Sequence, residues 1–143
     1  MGWEGVVIME KGFELISIQP FEDKRGSLKK IVMKSQLEEN VQIEEVYLLY
    51  SEKGSVRGNH YHKKTLEYFV IVSGKAKVAL KNLDTGTLEE INISSSDNLI
   101  LKVTPYVVHA FKNEGDVPLI MLAVSSKEYN KLDTDTFLME ILQ

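Results

Sequence analysis

The chain has 143 residues, 43% of them hydrophobic, with 17 Lys+Arg against 21 Asp+Glu, no cysteine and a formal net charge of −4. That length favours one domain over residues 1–143, large enough to bury a core without disulfides or a structural metal. The acidic balance argues against a nucleic-acid partner. The apolar runs are too short for a membrane span, and the lack of cysteine removes thiolate metal sites and cysteine nucleophiles.

At the N-terminus the apolar run Val6-Val7-Ile8-Met9 stops at Glu10 and no basic segment precedes it, so it is no secretory signal and a cytoplasmic location is expected. Trp3 is a candidate for packing across a subunit boundary. Strands are expected over Phe13–Ile18, Leu28–Lys34 and Ile43–Tyr50, each rich in β-branched and aromatic residues. Leu66–Val72 is a nearly continuous apolar run of strand length. In Lys75–Lys81, Ala76, Val78 and Leu80 alternate with lysines, the period of a half-buried strand. Asp84-Thr85-Gly86 supplies a hairpin turn into Thr87–Ile93. Leu99–Val103, Val107–Phe111 and Leu119–Ser125 follow. Only Glu128–Leu142 has room for a short helix, which Asp133-Thr134-Asp135 would break or cap. About ten short strands at regular turn spacing indicate an all-β sandwich or barrel.

The chain has three histidines, His60, His62 and His109. Side chains at i and i+2 share one face of a strand, so the His60 and His62 rings can converge. A chain reversal over Lys63–Leu66 would return Glu67 beside them. With His109 from Pro105-Tyr106-Val107-Val108-His109, these residues form a His3Glu donor set suited to zinc, manganese, iron or nickel. A His-x-His pair alone is more often an ordinary pair of strand residues than a metal site. Phe69 and Ile71 share parity with Glu67 and are expected to line the interior.

Gly54, His60, His62, Glu67 and Gly74 fit the spacing G-x5-H-x-H-x4-E-x6-G, and the chain thereby resembles the cupins, whose fold is a single double-stranded β-helix (jelly-roll) barrel. Val56-Arg57-Gly58-Asn59-His60-Tyr61-His62-Lys63-Lys64 is similar to a segment of the dTDP-6-deoxy-hexulose 3,4-ketoisomerases. Asp23-Lys24-Arg25-Gly26-Ser27-Leu28 resembles the entry motif shared with the dTDP-4-dehydrorhamnose 3,5-epimerases, and residues 126–137 resemble the tail of the same RmlC-like group. The run from Gly58 to Gly74 is also similar to the cupin domain of a capsular-polysaccharide enzyme.

The resemblance implies an isomerase or epimerase that enolises a nucleotide-linked 4-keto-6-deoxy sugar, with a bound divalent metal and a homodimeric assembly. His60, His62, Glu67 and His109 would hold the metal. His60, His62, Tyr47 and Tyr61 are the catalytic candidates, and Arg57, Arg25, Asn59 and Phe69 the substrate-binding ones. If His60 is a ligand, the base must be another group, such as Tyr47, Tyr50 or Tyr61. The chain departs from the epimerases in carrying Glu67 where they have lysine and Ala123 where they have a tyrosine acid. A metal-dependent dioxygenase or lyase, or a non-catalytic sugar-binding cupin, are the alternatives.

Overall fold

Lys75, Lys77 and Lys81 can point to water only if Ala76, Val78 and Leu80 point inward, and the strand Lys75–Asn82 is built that way. Ala76, Val78 and Leu80 are buried and Lys75 is exposed, while Ala79, on the lysines' face, is buried against Ala110 and Leu142. The same principle organises the rest of the chain. In the computed structural model, which describes residues 3–6 and 12–143, the strands are β1 (Trp3–Val6), β2 (Phe13–Ile18), β3 (Phe21–Asp23), β4 (Gly26–Leu28), β5 (Glu45–Ser51), β6 (Val56–Tyr61) and β7 (Glu67–Ser73). They continue as β8 (Lys75–Asn82), β9 (Leu88–Ser94), β10 (Leu99–Val103), β11 (Val107–Asn113), β12 (Leu119–Ser125) and β13 (Phe137–Leu138). The side chains of residues 1–11, and with them the N-terminal reading and the packing of Trp3, lie outside what is described.

Two antiparallel sheets face one another, in the orders β1-β2-β10-β7-β12-β5 and β13-β6-β11-β8-β9, and β3-β4 forms a separate hairpin. Between the sheets lies the main core. Phe13, Phe69, Leu101, Val103, Met121 and Ala123 come from the first sheet, with Val78, Leu80, Ile93, Val107 and Phe111 from the second. A second core covers the outer face of the first sheet, where Ile31, Val32, Leu37, Val41 and Ile43 pack on Ile16, Tyr68, Val70 and Ile100. Lys102 on that face is buried and paired with Glu38 and, at 3.8 Å, with Glu14. Among the described residues no helix is long and apolar enough to cross a membrane.

Two expected elements differ. The strand over Leu28–Lys34 is absent: Leu28 ends the β3–β4 hairpin, and residues 29–33 follow without regular structure. Its apolar residues Ile31 and Val32 cover the outer face of the sheet instead of joining a ladder. The helix over Glu128–Leu142 is also absent. There the polar side chains compete for local backbone donors, Asn130 accepting from the Leu132 N–H and Thr134 from the Thr136 N–H, which favours turns over helix.

A bulge in β6 positions the strand that carries the histidine pair. Gly58 lies opposite Ala110 and His60 opposite His109, so Asn59 is the extra residue between them. Gly58 and Asn59 both adopt positive φ, 94° and 56°. A Cβ at Gly58 would fall 2.6 Å from the His109 carbonyl oxygen, so only glycine permits this approach.

Candidate metal centre and active site

His109 lies on the inward face of β11 and Glu67 at the start of β7, in opposite sheets; they are 1% and 3% exposed. The β6 bulge sets His60 beside His109, their ring centroids 4.8 Å apart. His62 follows just past the end of β6, its ring 5.1 Å from that of His60 and 5.4 Å from that of His109. One donor atom from each of His60, His62, Glu67 and His109 lies within 4.8 Å of all the others. The expected convergence of these four residues is therefore what the fold produces.

The hydrogen bonds fix the proton inventory. The Nδ1–H of His62 donates to the Asp135 carbonyl at 2.7 Å, and its Nε2–H donates to Glu67 Oε1 at 2.7 Å. Both acceptors are oxygens, so the two contacts favour the protonated ring beside the carboxylate. Burial opposes the charge on His62, but the Glu67 carboxylate and the Asp135 carbonyl outweigh it and raise its pKa. Burial also pushes Glu67 upward, yet the His109 and His62 rings hold it well below the usual carboxylate range. Burial, with the neighbouring His109 and His62, pushes His60 down to about 4, so its ring is neutral at pH 7.

His109 supplies the fit test for a cation. Its Nδ1–H donates to the Val107 carbonyl at 3.1 Å, which turns Nε2 toward the cluster. That atom is buried without a hydrogen-bond partner, 3.4 Å from Glu67 Oε1. A buried ring nitrogen left without a partner is costly, and a cation held between it and the carboxylate would satisfy both. The donor set of imidazoles and one carboxylate suits a divalent transition metal, so these residues fit the expected group.

Tyr47 on β5 donates its hydroxyl to Glu67 Oε2 at 2.7 Å. Burial first, then the Glu67 charge, pushes the phenol above its ordinary pKa, so Tyr47 is held as a proton donor. Tyr47 lies directly opposite Ala123 in the β5–β12 ladder. Residues facing each other across a ladder project from the same face, so β5 offers a hydroxyl where β12 carries only a methyl.

A pocket of about 690 Å³ opens onto this cluster; His60, His62, Tyr47 and Glu67 lie at its base, and residues 127–130 and 133–137 form much of its wall. The other nominated residues lie elsewhere. Tyr61, between the two histidines, faces the opposite way and stacks on Phe137 at 5.4 Å. Tyr50 is exposed on the outer face of β5. Phe69 is buried in the core 5.5 Å from the His109 ring, supporting it from behind. Arg57 bridges the sheets, its Nε donating to the Tyr50 carbonyl and Ser51 Oγ, both at 3.1 Å. Asn59 accepts from the Ile141 and Leu142 amides and donates to the Leu142 carbonyl, anchoring the C-terminal segment. Arg25 pairs with Asp23 on the exposed hairpin. The sequence alone does not assign the tail wall to the site; its signal there is the resemblance of residues 126–137.

A family model described as the polysaccharide biosynthesis C-terminal domain matches residues 21–137. The UDP-2-acetamido-2,6-beta-L-arabino-hexul-4-ose reductase of Pseudomonas aeruginosa is 26% identical over 84 residues, 59% of this chain; the match spans only 23% of that protein. The dTDP-6-deoxy-D-glucose-3,5-epimerase RmlC of Legionella pneumophila superposes with a TM-score of 0.85 at 14% identity, covering 99% of this chain and 79% of that one. QdtA, a sugar 3,4-ketoisomerase of Thermoanaerobacterium thermosaccharolyticum solved with TDP, gives a TM-score of 0.72 at 25% identity, covering 88% of this chain and 87% of that one. The chain belongs to the polysaccharide biosynthesis C-terminal domain family and has the jelly-roll fold of the RmlC-like sugar-nucleotide cupins.

Proposed function

We propose that the protein is an isomerase or epimerase of a nucleotide-linked 4-keto-6-deoxy sugar, acting by enolisation beside the carbonyl. One observation carries this: the pocket opens onto a neutral His60 ring and a hydrogen-bonded chain from Tyr47 through Glu67 to His62. Moving a proton on and off a carbon next to a carbonyl needs an acceptor, a donor and a means of holding charge on the oxygen. The names of QdtA and RmlC, both sugar-nucleotide enzymes, support the substrate class.

His60, His62, Glu67 and His109 would hold a divalent cation, whose contribution when bound is Lewis-acid stabilisation of the developing enolate oxygen. The remaining tasks fall to the chain. Tyr47, held protonated, returns a proton to the sugar. His60 accepts the proton from the carbon in a centre where His62, Glu67 and His109 alone hold the cation, and where His60 is a fourth ligand the acceptor must be another group. The core residues behind His109 keep that side of the site dry, which strengthens each charge interaction. Zinc, manganese, iron and nickel all remain compatible with the donor set.

The proposal extends to a cytoplasmic homodimer. Val46, Leu48 and Tyr50 are 57%, 68% and 51% exposed in a row on edge strand β5, an apolar strip that a second copy would cover. A monomer in analytical ultracentrifugation at micromolar concentration would contradict it.

Incubation with dTDP-4-keto-6-deoxyglucose in deuterium oxide tests the activity. Deuterium is expected on a carbon beside the carbonyl, about 100-fold more slowly in Tyr47→Phe. No incorporation from this sugar or its UDP-linked counterparts would sink the proposal. Metal-dependent oxygen uptake in its place would favour the dioxygenase reading that the same four donors permit.

A further inference from the structure

We propose that Asp135 is a positioning residue for His62, acting from the C-terminal segment to fix the orientation of the ring and the turn that joins it to Glu67. His62 lies beyond the last residue of β6, so no ladder bond of that strand holds it. Its carbonyl accepts from the Tyr106 N–H at 2.7 Å, which places the backbone but leaves the ring free to rotate. The Asp135 carbonyl, 73 residues away in sequence, removes that freedom by accepting the Nδ1–H. A carbonyl oxygen only accepts, so the contact also fixes which nitrogen faces it. Nε2 is thereby directed at Glu67, and it becomes available to a cation once its own proton is displaced.

The Asp135 carboxylate holds the other half of the arrangement. Oδ1 accepts from the Lys63 N–H at 2.9 Å, and Oδ2 accepts from the Lys64 N–H at 2.9 Å and the Thr65 hydroxyl at 2.8 Å. Residues 63–65 make up most of the connection from His62 to Glu67, so a single residue fastens the ring and the loop behind it. Its segment is itself secured on both sides. Phe137 and Leu138 pair with Tyr61 and His60, and the Met139 N–H donates to the Asn59 carbonyl at 2.8 Å. The bulge that places His60 therefore also anchors the segment that orients His62. Partners of this kind, which orient a ligating histidine through its other nitrogen, affect metal affinity by about 10–100-fold.

The importance of Asp135 for turnover depends on the reactive centre proposed above, but its effect on the ring can be read without substrate or metal. The metal-free full chain should show a water-protected imidazole Nδ1–H resonance by proton–nitrogen NMR, assigned by its loss in His62→Gln. In Asp135→Ala the carbonyl remains but its fastening is gone; that proton should exchange at least about tenfold faster. Zinc affinity, read by competition with a chromophoric chelator, should fall by about 10–100-fold. Asp135→Asn keeps one acceptor oxygen and should restore part of both. Unchanged exchange and unchanged zinc affinity in Asp135→Ala would overturn the proposal. If that variant does not fold, Thr65→Val removes one of the three carboxylate bonds and should speed exchange by a smaller factor; no change there overturns the proposal equally.

Discussion

Two regions of the molecule carry family-like motifs, and the fold treats them in opposite ways. Around His60, His62, Glu67 and His109, hydrogen bonds link residues 5, 20 and 73 positions apart, and two of the four side chains are almost fully buried. On the β3–β4 hairpin, Arg25 bonds only to Asp23, two positions away, and residues 21–28 are all exposed. Side chains acquire a defined chemical environment where distant segments meet out of water. Where only near neighbours meet, a motif residue keeps its ordinary solution character. Among the described residues, the donor cluster is complete within one chain, whereas the hairpin finds no partner in either sheet.

Glu67→Gln should break the better-defined region most severely. The neutral amide removes the negative charge that faces His62, and the set loses its only carboxylate. Zinc affinity should fall by more than about 100-fold, beyond what an outer partner costs, and deuterium exchange into the sugar should disappear. Retention of zinc by this variant, measured by elemental analysis after dialysis, would show that the donors do not act together.

Gly58→Ala should come next. The positive φ costs a non-glycine residue about 1–2 kcal/mol, and the added Cβ meets the His109 carbonyl oxygen at 2.6 Å. Urea unfolding should show at least that loss, with weakened zinc binding because His60 and His109 no longer lie side by side. A stable variant with intact zinc binding would mean that the bulge is not needed to build the centre.

A smaller effect is expected from pH in the metal-free protein. His60 falls from 6.5 to about 4 on folding, because burial and the adjacent rings disfavour its charge. The unfolded chain then binds the extra proton first, so this contribution is complete above pH 6.5 and is lost as pH falls toward 4. His62 has the opposite sign: its pKa is raised, so its contribution is complete below its unfolded value and is lost as pH rises through the folded one. His60→Gln should therefore flatten the acid side of the stability profile and leave the alkaline side alone. Urea midpoints between pH 4.5 and 8 would check this, and identical acid limbs would contradict it.

Arg25→Ala should change least. Its pair with Asp23 is exposed and local, so the unfolding midpoint and zinc affinity should match the parent chain within error. A clear loss of either would show that the hairpin is coupled to the barrel.

Much of this was legible in the sequence because it depends on short-range geometry. The bounds of β2, β10 and β12 follow directly from their apolar runs. The His60–His62 pair and the return of Glu67 follow from i, i+2 parity and one chain reversal. The same parity would have removed Tyr61, which must face away from both neighbours. Leu28–Lys34 resembles a strand in sequence because an apolar run covers a sheet face as readily as it pairs in a ladder. The tail is not legible in sequence because Asp135 and Asn59 act through partners about 70–80 residues away. Their effect depends on a bulge whose only local sign is Gly58-Asn59. The place of Tyr47 opposite Ala123 is not legible in sequence, since that ladder joins strands far apart along the chain.

The most direct test of the central claim is an optical titration of the metal-free protein with cobalt(II). The claim is that His60, His62, Glu67 and His109 act as one centre. It predicts saturation at one equivalent per chain, with the visible bands of a histidine-rich low-coordinate site, and loss of those bands in His109→Gln. Absence of such a transition, or a site that persists unchanged without His109, would contradict it.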